Sequence, residues 1–204
     1  VREAPERRAD DPALLNSVLV LDEKGAVVAD YDKRRLVPFG EFTPFKRVLR
    51  VTKMTVGDID YVPGESSAPI QLVGLPAARV LICYEALFPR SGDDEAGWIL
   101  NVTNDAWFGD TGCPHQHAML TAGQAVQWGR PLLRIAYTGI SWLVEPHGDI
   151  LYETPVFSEQ AFVEPVRLKN IDTLYRKGGW LFPYLCSTIA LGALFVGRRR
   201  KFLD

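Results

Sequence analysis

A short apolar run that ends in reactive side chains is the feature that most constrains the fold of this chain. Residues 80–85 read Val-Leu-Ile-Cys-Tyr-Glu, inside the apolar run Arg79–Tyr84, and a second such run covers Gly97–Val102. Uninterrupted apolar runs of this length predict central strands that are covered on both faces. A cysteine at the exit of such a strand is placed as a nucleophile would be, although a lone cysteine is more often an inert buried side chain.

The other elements complete a layered α/β pattern. Ser17–Asp22 and Ala26–Tyr31 predict a hairpin turned at Gly25, and Gly139–Glu145 with Ile150–Glu153 predict a second hairpin. Residues 115–128 predict a helix closed by Gly-Arg-Pro, whereas residues 47–68 show no period and predict a loop. Open sheets of this class place their chemistry at the C-terminal ends of the strands.

Composition limits the functions that remain. The 204 residues are 47% hydrophobic, which suffices for one large core, and a net charge of −2 argues against nucleic-acid binding by bulk electrostatics. The cysteines at 83, 113 and 186 have neither disulfide-framework nor zinc spacing. His115 and His117 are followed by no third ligand at useful spacing, so no metal and no cofactor is expected.

The C-terminal segment predicts a membrane anchor. Residues 180–196 carry no charge, and Arg198 to Lys201 follow as four consecutive basic residues. As a helix, 178–197 would come close to the ~30 Å hydrocarbon core of a bilayer. The basic cluster predicts a cytoplasmic tail at 198–204, with the rest of the chain on the other side. The alternative is a buried core helix.

Four motifs together carry a family resemblance. They are Tyr-Asp-Lys ending at Lys33, Leu-Val-Pro-Phe-Gly-Glu-Phe at 36–42, Cys-Tyr-Glu at 83–85 and Asn-Asp-Ala-Trp-Phe-Gly at 104–109. In this combination the chain resembles the apolipoprotein N-acyltransferases, the membrane-bound branch of the nitrilase, or carbon-nitrogen hydrolase, superfamily. The resemblance runs from about Asn16 to the C-terminus.

The resemblance implies a nitrilase-like α-β-β-α sandwich over 1–176 that lacks its first strand and helix, followed by one transmembrane helix at 178–197. It implies a bacterial inner membrane location, with the catalytic domain on the periplasmic side. The chain starts with Val1 and shows no signal peptide, so we expect it to be the C-terminal part of a longer protein. Nothing in the sequence indicates an oligomer, and a monomer is expected.

The resemblance also assigns roles to residues. Cys83 is the nucleophile, and Lys33 stabilises the oxyanion of the tetrahedral intermediate. Glu41, Tyr84 and Glu85 support the site, although both glutamates are also consistent with purely structural ion pairs. The pocket candidates are Asn104, Trp107, Phe108 and His117, and the two loop aromatics are equally consistent with a local core. The family's base glutamate is not found, since Glu3 and Glu6 have polar surroundings unlike a strand end, and it is expected upstream of this chain.

The predicted function is the transfer of a fatty acyl group from a phospholipid to Cys83 as a thioester. The acyl group then passes to the α-amino group of a lipoprotein's diacylglyceryl-cysteine. Two alternatives stay open at this point. One is a nitrilase-type amidase that hydrolyses a small amide, and the other is a membrane-anchored remnant without catalysis, because the base is not seen. The identity of the phospholipid, its acyl chain and the acceptor lipoproteins is not encoded in any visible motif.

Overall fold

The computed structural model describes residues 2–3, 14–45, 60–88, 95–168 and 171–200. Nine strands and two α-helices lie within these ranges. The strands are β1 (Arg2–Glu3), β2 (Leu14–Leu15), β3 (Ser17–Leu21), β4 (Val27–Asp32), β5 (Ala78–Ile82), β6 (Trp98–Asn104), β7 (Leu132–Tyr137), β8 (Trp142–Val144) and β9 (Ile150–Glu153). The helices are α1 (Cys113–Trp128) and α2 (Phe182–Arg200).

The main sheet has five strands in the order β5-β6-β7-β8-β9. Strands β5, β6 and β7 are parallel, and β7, β8 and β9 continue as an antiparallel meander. All five residues of β5 are buried, as the uninterrupted apolar run predicts. The hairpin β3–β4 forms a separate two-stranded antiparallel sheet, and β1 pairs with β2.

Two apolar clusters hold the layers together, one on each face of the main sheet. On one face, α1 packs through Ala118, Ala125 and Trp128 against sheet residues that include Ile99 and Leu132. On the other face, Tyr31 of the hairpin packs with Val80 and Ile82 of β5. The structure therefore confirms the predicted layered α/β fold and shows that the main sheet is mixed and lies between a helix and a hairpin.

Most predicted elements are confirmed, with two local corrections. Gly25 turns the first hairpin with φ 80, and Gly129 ends α1 in the left-handed conformation. The first apolar run ends as a strand at Ile82 rather than at Tyr84, because Cys83 begins a 3-10 turn, Cys83–Leu87. Glu3, which we did not expect in a strand, lies in β1. Of the predicted loop 47–68, residues 47–59 lie outside the described residues, as does Glu6.

The predicted membrane-spanning helix at 178–197 is not confirmed. A 3-10 turn, Gly179–Leu181, precedes α2, so the α-helix begins only at Phe182. From there to the basic cluster at Arg198 an α-helix rises only ~22 Å, which is short of a ~30 Å hydrocarbon core. Among the helices that the structure describes, none is both long and apolar enough to cross a membrane. The tail beyond residue 200 lies outside the described part.

Candidate active site

The predicted site residues gather where the parallel strands end. Cys83 directly follows β5, Asn104 is the last residue of β6 and Thr138 directly follows β7. Because β5, β6 and β7 are parallel neighbours, these three positions lie along one edge of the sheet. This is the edge at which α/β sheets of this kind bind ligands. Lys33 directly follows β4 of the hairpin layer.

Cys83 has a backbone conformation that L-residues rarely adopt. Its φ is 50°, and Thr138 on the other side of β6 has φ 60°. Left-handed conformations cost about 1–3 kcal/mol at a residue with a side chain and persist where the surrounding structure holds them. The Cys83 side chain is half-buried and forms no disulfide. Strand β5 therefore ends in a strained turn at the residue that carries the free thiol, as the strand before a nucleophile elbow does.

Glu85 links the cysteine turn to the lysine loop. Its Oε2 accepts a hydrogen bond from the Ile82 backbone N–H at 2.8 Å, directly before Cys83. Its Oε1 accepts hydrogen bonds from the backbone N–H groups of Arg34 at 2.8 Å and Arg35 at 3.2 Å. The Tyr31 hydroxyl donates to the same carboxylate at 3.0 Å. One buried side chain thus fixes the loop after β4 against the turn that carries Cys83.

Lys33 and Glu41 form a second clamp in the same loop. Lys33 is only 1% exposed, and its Nζ lies 3.0 Å from Glu41 Oε1 and 2.9 Å from Oε2. The Asn16 amide donates to Oε1 at 2.8 Å, and the Val37 N–H donates to Oε2 at 2.8 Å. Because both carboxylate oxygens are bonded, Glu41 holds the ammonium in one position. The structure thus places Glu41 against Lys33 and Glu85 against both loops.

The remaining predicted residues differ in exposure. Tyr84 packs edge-on against Phe88, with ring centroids 4.7 Å apart. Trp107 is 65% exposed in the 3-10 turn Ala106–Phe108, and the exposed Asn104 accepts a hydrogen bond from the Ala106 N–H at 3.0 Å. Phe108 lies edge-on to His117, which is buried, with ring centroids 5.6 Å apart. His115 is exposed, so the two histidines do not face the same surroundings.

A buried polar network at this edge was not predicted from sequence. Arg134 of β7 donates from Nη2 to Asp105 Oδ2 at 2.6 Å, from Nη1 to Asn101 at 2.5 Å and from Nε to the Ile140 carbonyl at 3.0 Å. His117 Nδ1 lies 3.0 Å from Asp105 Oδ1. The same oxygen accepts a hydrogen bond from the Thr103 hydroxyl at 2.9 Å.

This network, Arg134–Asp105–His117, reaches the strand that carries Cys83. The Asn101 amide donates to the Leu81 carbonyl of β5 at 2.9 Å. Its two charged groups are fully enclosed, because Asp105 is 1% exposed and Arg134 is 0% exposed. A Cβ atom at Gly139 would clash with the Asp105 carboxylate, so glycine is required there for the close approach. A signal in the sequence existed, since Arg134 interrupts an apolar run, but its partners lie far away along the chain.

Burial and the charges in this network shift the pKa values of Asp105 and Arg134. Burial alone raises the pKa of Asp105, but the hydrogen bond from His117 and the positive charge of Arg134 outweigh it, so that pKa lies below its ordinary value of 3.8. Burial lowers the pKa of Arg134, and the Asp105 carboxylate opposes that effect. Asp105 is therefore ionised at neutral pH and Arg134 is cationic, which makes the pair a buried salt bridge.

A substitution at Glu85 tests the link between the two loops. We expect Glu85→Gln to destabilise the fold by about 2 kcal/mol, because an amide nitrogen facing several N–H donors leaves at least one of them without an acceptor. Alkylation of Cys83 by iodoacetamide should slow as well, since the turn loses its anchor. Urea unfolding and timed alkylation measure the two effects. Glu23→Gln, in the exposed hairpin turn, is the control, and equal behaviour of both variants would contradict the linking role.

The sequence comparisons define the family. Residues 2–176 match the carbon-nitrogen hydrolase family. Among solved structures, a carbon-nitrogen hydrolase from Helicobacter pylori G27 shares the fold with a TM-score of 0.53 at 15% identity, over 73% of this chain and 55% of that one. An amidase from Nesterenkonia sp. shares it with a TM-score of 0.51 at 24% identity, over 76% of this chain and 55% of that one. The chain therefore belongs to the carbon-nitrogen hydrolase family.

Within that family, similar curated proteins are named apolipoprotein N-acyltransferase. An apolipoprotein N-acyltransferase of Rhizobium leguminosarum bv. trifolii is 42% identical over 201 residues, which is 93% of this chain and 36% of the relative. One of Rhizobium rhizogenes is 40% identical, over 89% of this chain and 36% of the relative. One of Geobacter metallireducens is 35% identical, over 92% and 37%. The chain spans little more than a third of the length of these curated relatives.

Proposed function

We propose that this chain carries the catalytic centre of an apolipoprotein N-acyltransferase, which transfers a fatty acyl group from a phospholipid to the N-terminal α-amino group of a lipoprotein. The observation that carries the proposal is the linkage of Cys83 to Lys33 through Glu85. Glu85 accepts hydrogen bonds from the backbone N–H of Ile82, directly before Cys83, and from that of Arg34, directly after Lys33. The naming of the curated relatives supports the choice of reaction.

The proposed chemistry proceeds in two half-reactions. In the first, the Cys83 thiolate attacks the ester carbonyl of the phospholipid, and the lysophospholipid leaves with a proton. Lys33, held by Glu41, stabilises the negative charge that develops on the carbonyl oxygen. Tyr84 directly follows the nucleophile, and its backbone N–H is proposed as a second donor to the same oxygen. In the second, the amine of the acceptor attacks the thioester. The general-base glutamate is proposed to lie upstream of this chain.

Helix α2 supports action at a lipid surface. Its apolar side chains are exposed rather than packed against the sheet, among them Phe182 at 66%, Ile189 at 62% and Leu191 at 67%. Exposed apolar surface on this scale marks a contact with a membrane or a partner. We propose that this helix contacts the bacterial inner membrane, with residues 1–176 as the catalytic domain on its periplasmic side. Lipid-anchored substrates would then react without leaving the bilayer.

The two alternatives are less well supported. A soluble amidase would gain nothing from an exposed apolar C-terminal helix, and relatives at 40–42% identity are named apolipoprotein N-acyltransferase. A remnant without catalysis would have no use for a lysine that is 1% exposed and held by a carboxylate beside a strained cysteine turn. Trp107 and Phe108 are proposed to face the fatty acyl chain, and Asn104 and His117 are proposed to line another part of the substrate pocket.

The test is the mass of the acylated protein. We expect the full-length protein in detergent to gain one fatty acyl group from a phospholipid, and a diacylglyceryl peptide to remove it as an amide faster than water does. Cys83→Ala should show no adduct, whereas Cys113→Ala, which removes an exposed cysteine outside the motifs, should acylate normally. Discharge by water at the same rate as by the peptide would favour the amidase. An absent adduct on folded wild type would overturn the proposal.

A further inference from the structure

Among the described residues, one nitrogen of the His117 imidazole has a hydrogen-bond partner and the other has none. Nδ1 lies 3.0 Å from Asp105 Oδ1, and the ionised carboxylate can only accept, so Nδ1 carries the hydrogen. Arg134 Nη2 lies 3.3 Å from the same Nδ1 but donates to Asp105 at 2.6 Å. In neutral imidazole this leaves Nε2 as an acceptor. Nε2 is buried and has no hydrogen-bond partner within the part of the chain that the structure describes.

An open acceptor in an otherwise complete buried network calls for an explanation. Buried polar atoms are nearly always hydrogen-bonded, and the exceptions concentrate at sites of function. Asp105 itself is bonded by the Thr103 hydroxyl, the Arg134 guanidinium and His117 Nδ1. A network that served only stability would gain by satisfying Nε2 as well.

The network that holds His117 lies beside the strand that leads to the nucleophile Cys83. Ile82 pairs with Val102 in the parallel register of β5 and β6, so the next positions along the two chains are Cys83 and Thr103. Neighbouring strands lie ~4.8 Å apart. Thr103 and His117 share the same oxygen of Asp105. The imidazole is thus connected to the residue beside Cys83 through a single carboxylate.

Because Nε2 is a hydrogen-bond acceptor, it can bind the reacting group of only one of the two proposed substrates. A lone pair binds an N–H or O–H donor. The reacting end of a phospholipid is an ester, which offers only acceptors, whereas the acyl acceptor reacts through an amine, which has N–H donors. Phe108 packs edge-on to the imidazole and is only half-buried, so a partly exposed side chain lies directly against the ring.

We propose that His117 is a specificity-determining residue of the second half-reaction, in which its Nε2 accepts a hydrogen bond from the amine of the acyl acceptor. The amine lone pair forms the C–N bond, the C–S bond of the thioester breaks, and the proton displaced from nitrogen ends on the Cys83 sulfur. Asp105 and Arg134 orient the ring and act as positioning residues. This inference rests on the function proposed above.

The test separates the two nitrogens of the ring. His117→Asn keeps an N–H donor near the Nδ1 position for Asp105 but removes the acceptor at Nε2. In the full-length protein we expect acylation of Cys83 by a phospholipid within twofold of wild type, and discharge of the thioester by a diacylglyceryl peptide at least tenfold slower. His115→Asn, on the exposed side of the same helix, should leave both rates unchanged.

The outcomes distinguish the two proposals. Discharge of the His117→Asn thioester at the wild-type rate would overturn the role of Nε2 and leave the acyltransferase standing. An equal fall in acylation and discharge would also overturn it, because a general disturbance of the site would then explain both. If wild type forms no thioester, the acyltransferase proposal fails first and this one with it. Thermal unfolding of each variant shows whether the fold is kept.

Discussion

Lys33→Met is expected to lower the rate of Cys83 acylation by about 10²- to 10³-fold, which is the usual loss when one oxyanion-stabilising donor is removed. The methionine keeps the unbranched stem of the side chain, so packing changes little. Glu41 still accepts hydrogen bonds from the Asn16 amide and the Val37 N–H, which holds the loop in place. The fall in acylation rate therefore reflects the transition state, while the unpaired Glu41 carboxylate separately lowers the free energy of unfolding. Intact-mass measurement of the acyl adduct over time gives the rate.

Two further variants show whether the loss of acylation comes from the missing Lys33 ammonium or from the unpaired Glu41 carboxylate. Lys24→Met removes a lysine from the exposed turn of the first hairpin and should acylate like wild type. The double variant Lys33→Met/Glu41→Gln removes the uncompensated carboxylate, so it should recover unfolding free energy without recovering acylation. If the double variant acylates at the wild-type rate, Lys33 serves only to neutralise Glu41 and the oxyanion role is wrong.

The sequence predicted the parts of this molecule whose signals are local. Apolar runs and turn glycines lie within a few residues of the elements that they predict. These elements are the buried strand before Cys83, both hairpins and the helix before Gly129. The α/β class follows from those elements. The placement of Glu41 against Lys33 is a short-range contact within one loop, eight positions apart.

The missed features depend on contacts between distant segments. Strand β7 has the run Leu-Leu-Arg-Ile-Ala-Tyr, in which Arg134 breaks the apolar pattern of a buried strand. Only the fold shows that this arginine is buried, because its partners Asp105 and Asn101 come from β6 and the loop after it. The predicted membrane-spanning helix is not confirmed for a different reason. The uncharged segment of the sequence includes Gly178 and Gly179, but the α-helix starts only at Phe182.

The buried Arg134–Asp105 pair makes the largest stability prediction. Arg134→Met should lower the free energy of unfolding by about 3–5 kcal/mol, because it leaves an ionised carboxylate enclosed in the sheet edge without its cation. The control is Lys177→Met, which breaks an ion pair with Asp172 in which both partners are more than half exposed. That variant should cost less than about 1 kcal/mol. Urea unfolding at pH 7 measures both, and similar losses in the two variants would contradict a buried, uncompensated charge.

Acid gives an independent check on the same pair. The pKa of Asp105 lies below 3.8 in the folded protein, so the stabilisation from its ionised form is complete above that pH and is lost as the pH falls through the folded pKa. We expect the stability difference between wild type and Asp105→Asn to be constant from pH 7 to about pH 5 and to shrink below about pH 4. The double variant Arg134→Met/Asp105→Asn should be more stable than Arg134→Met alone, since no buried charge then remains. A double variant as unstable as the single one would locate the cost of Arg134→Met in lost packing instead of in the ion pair.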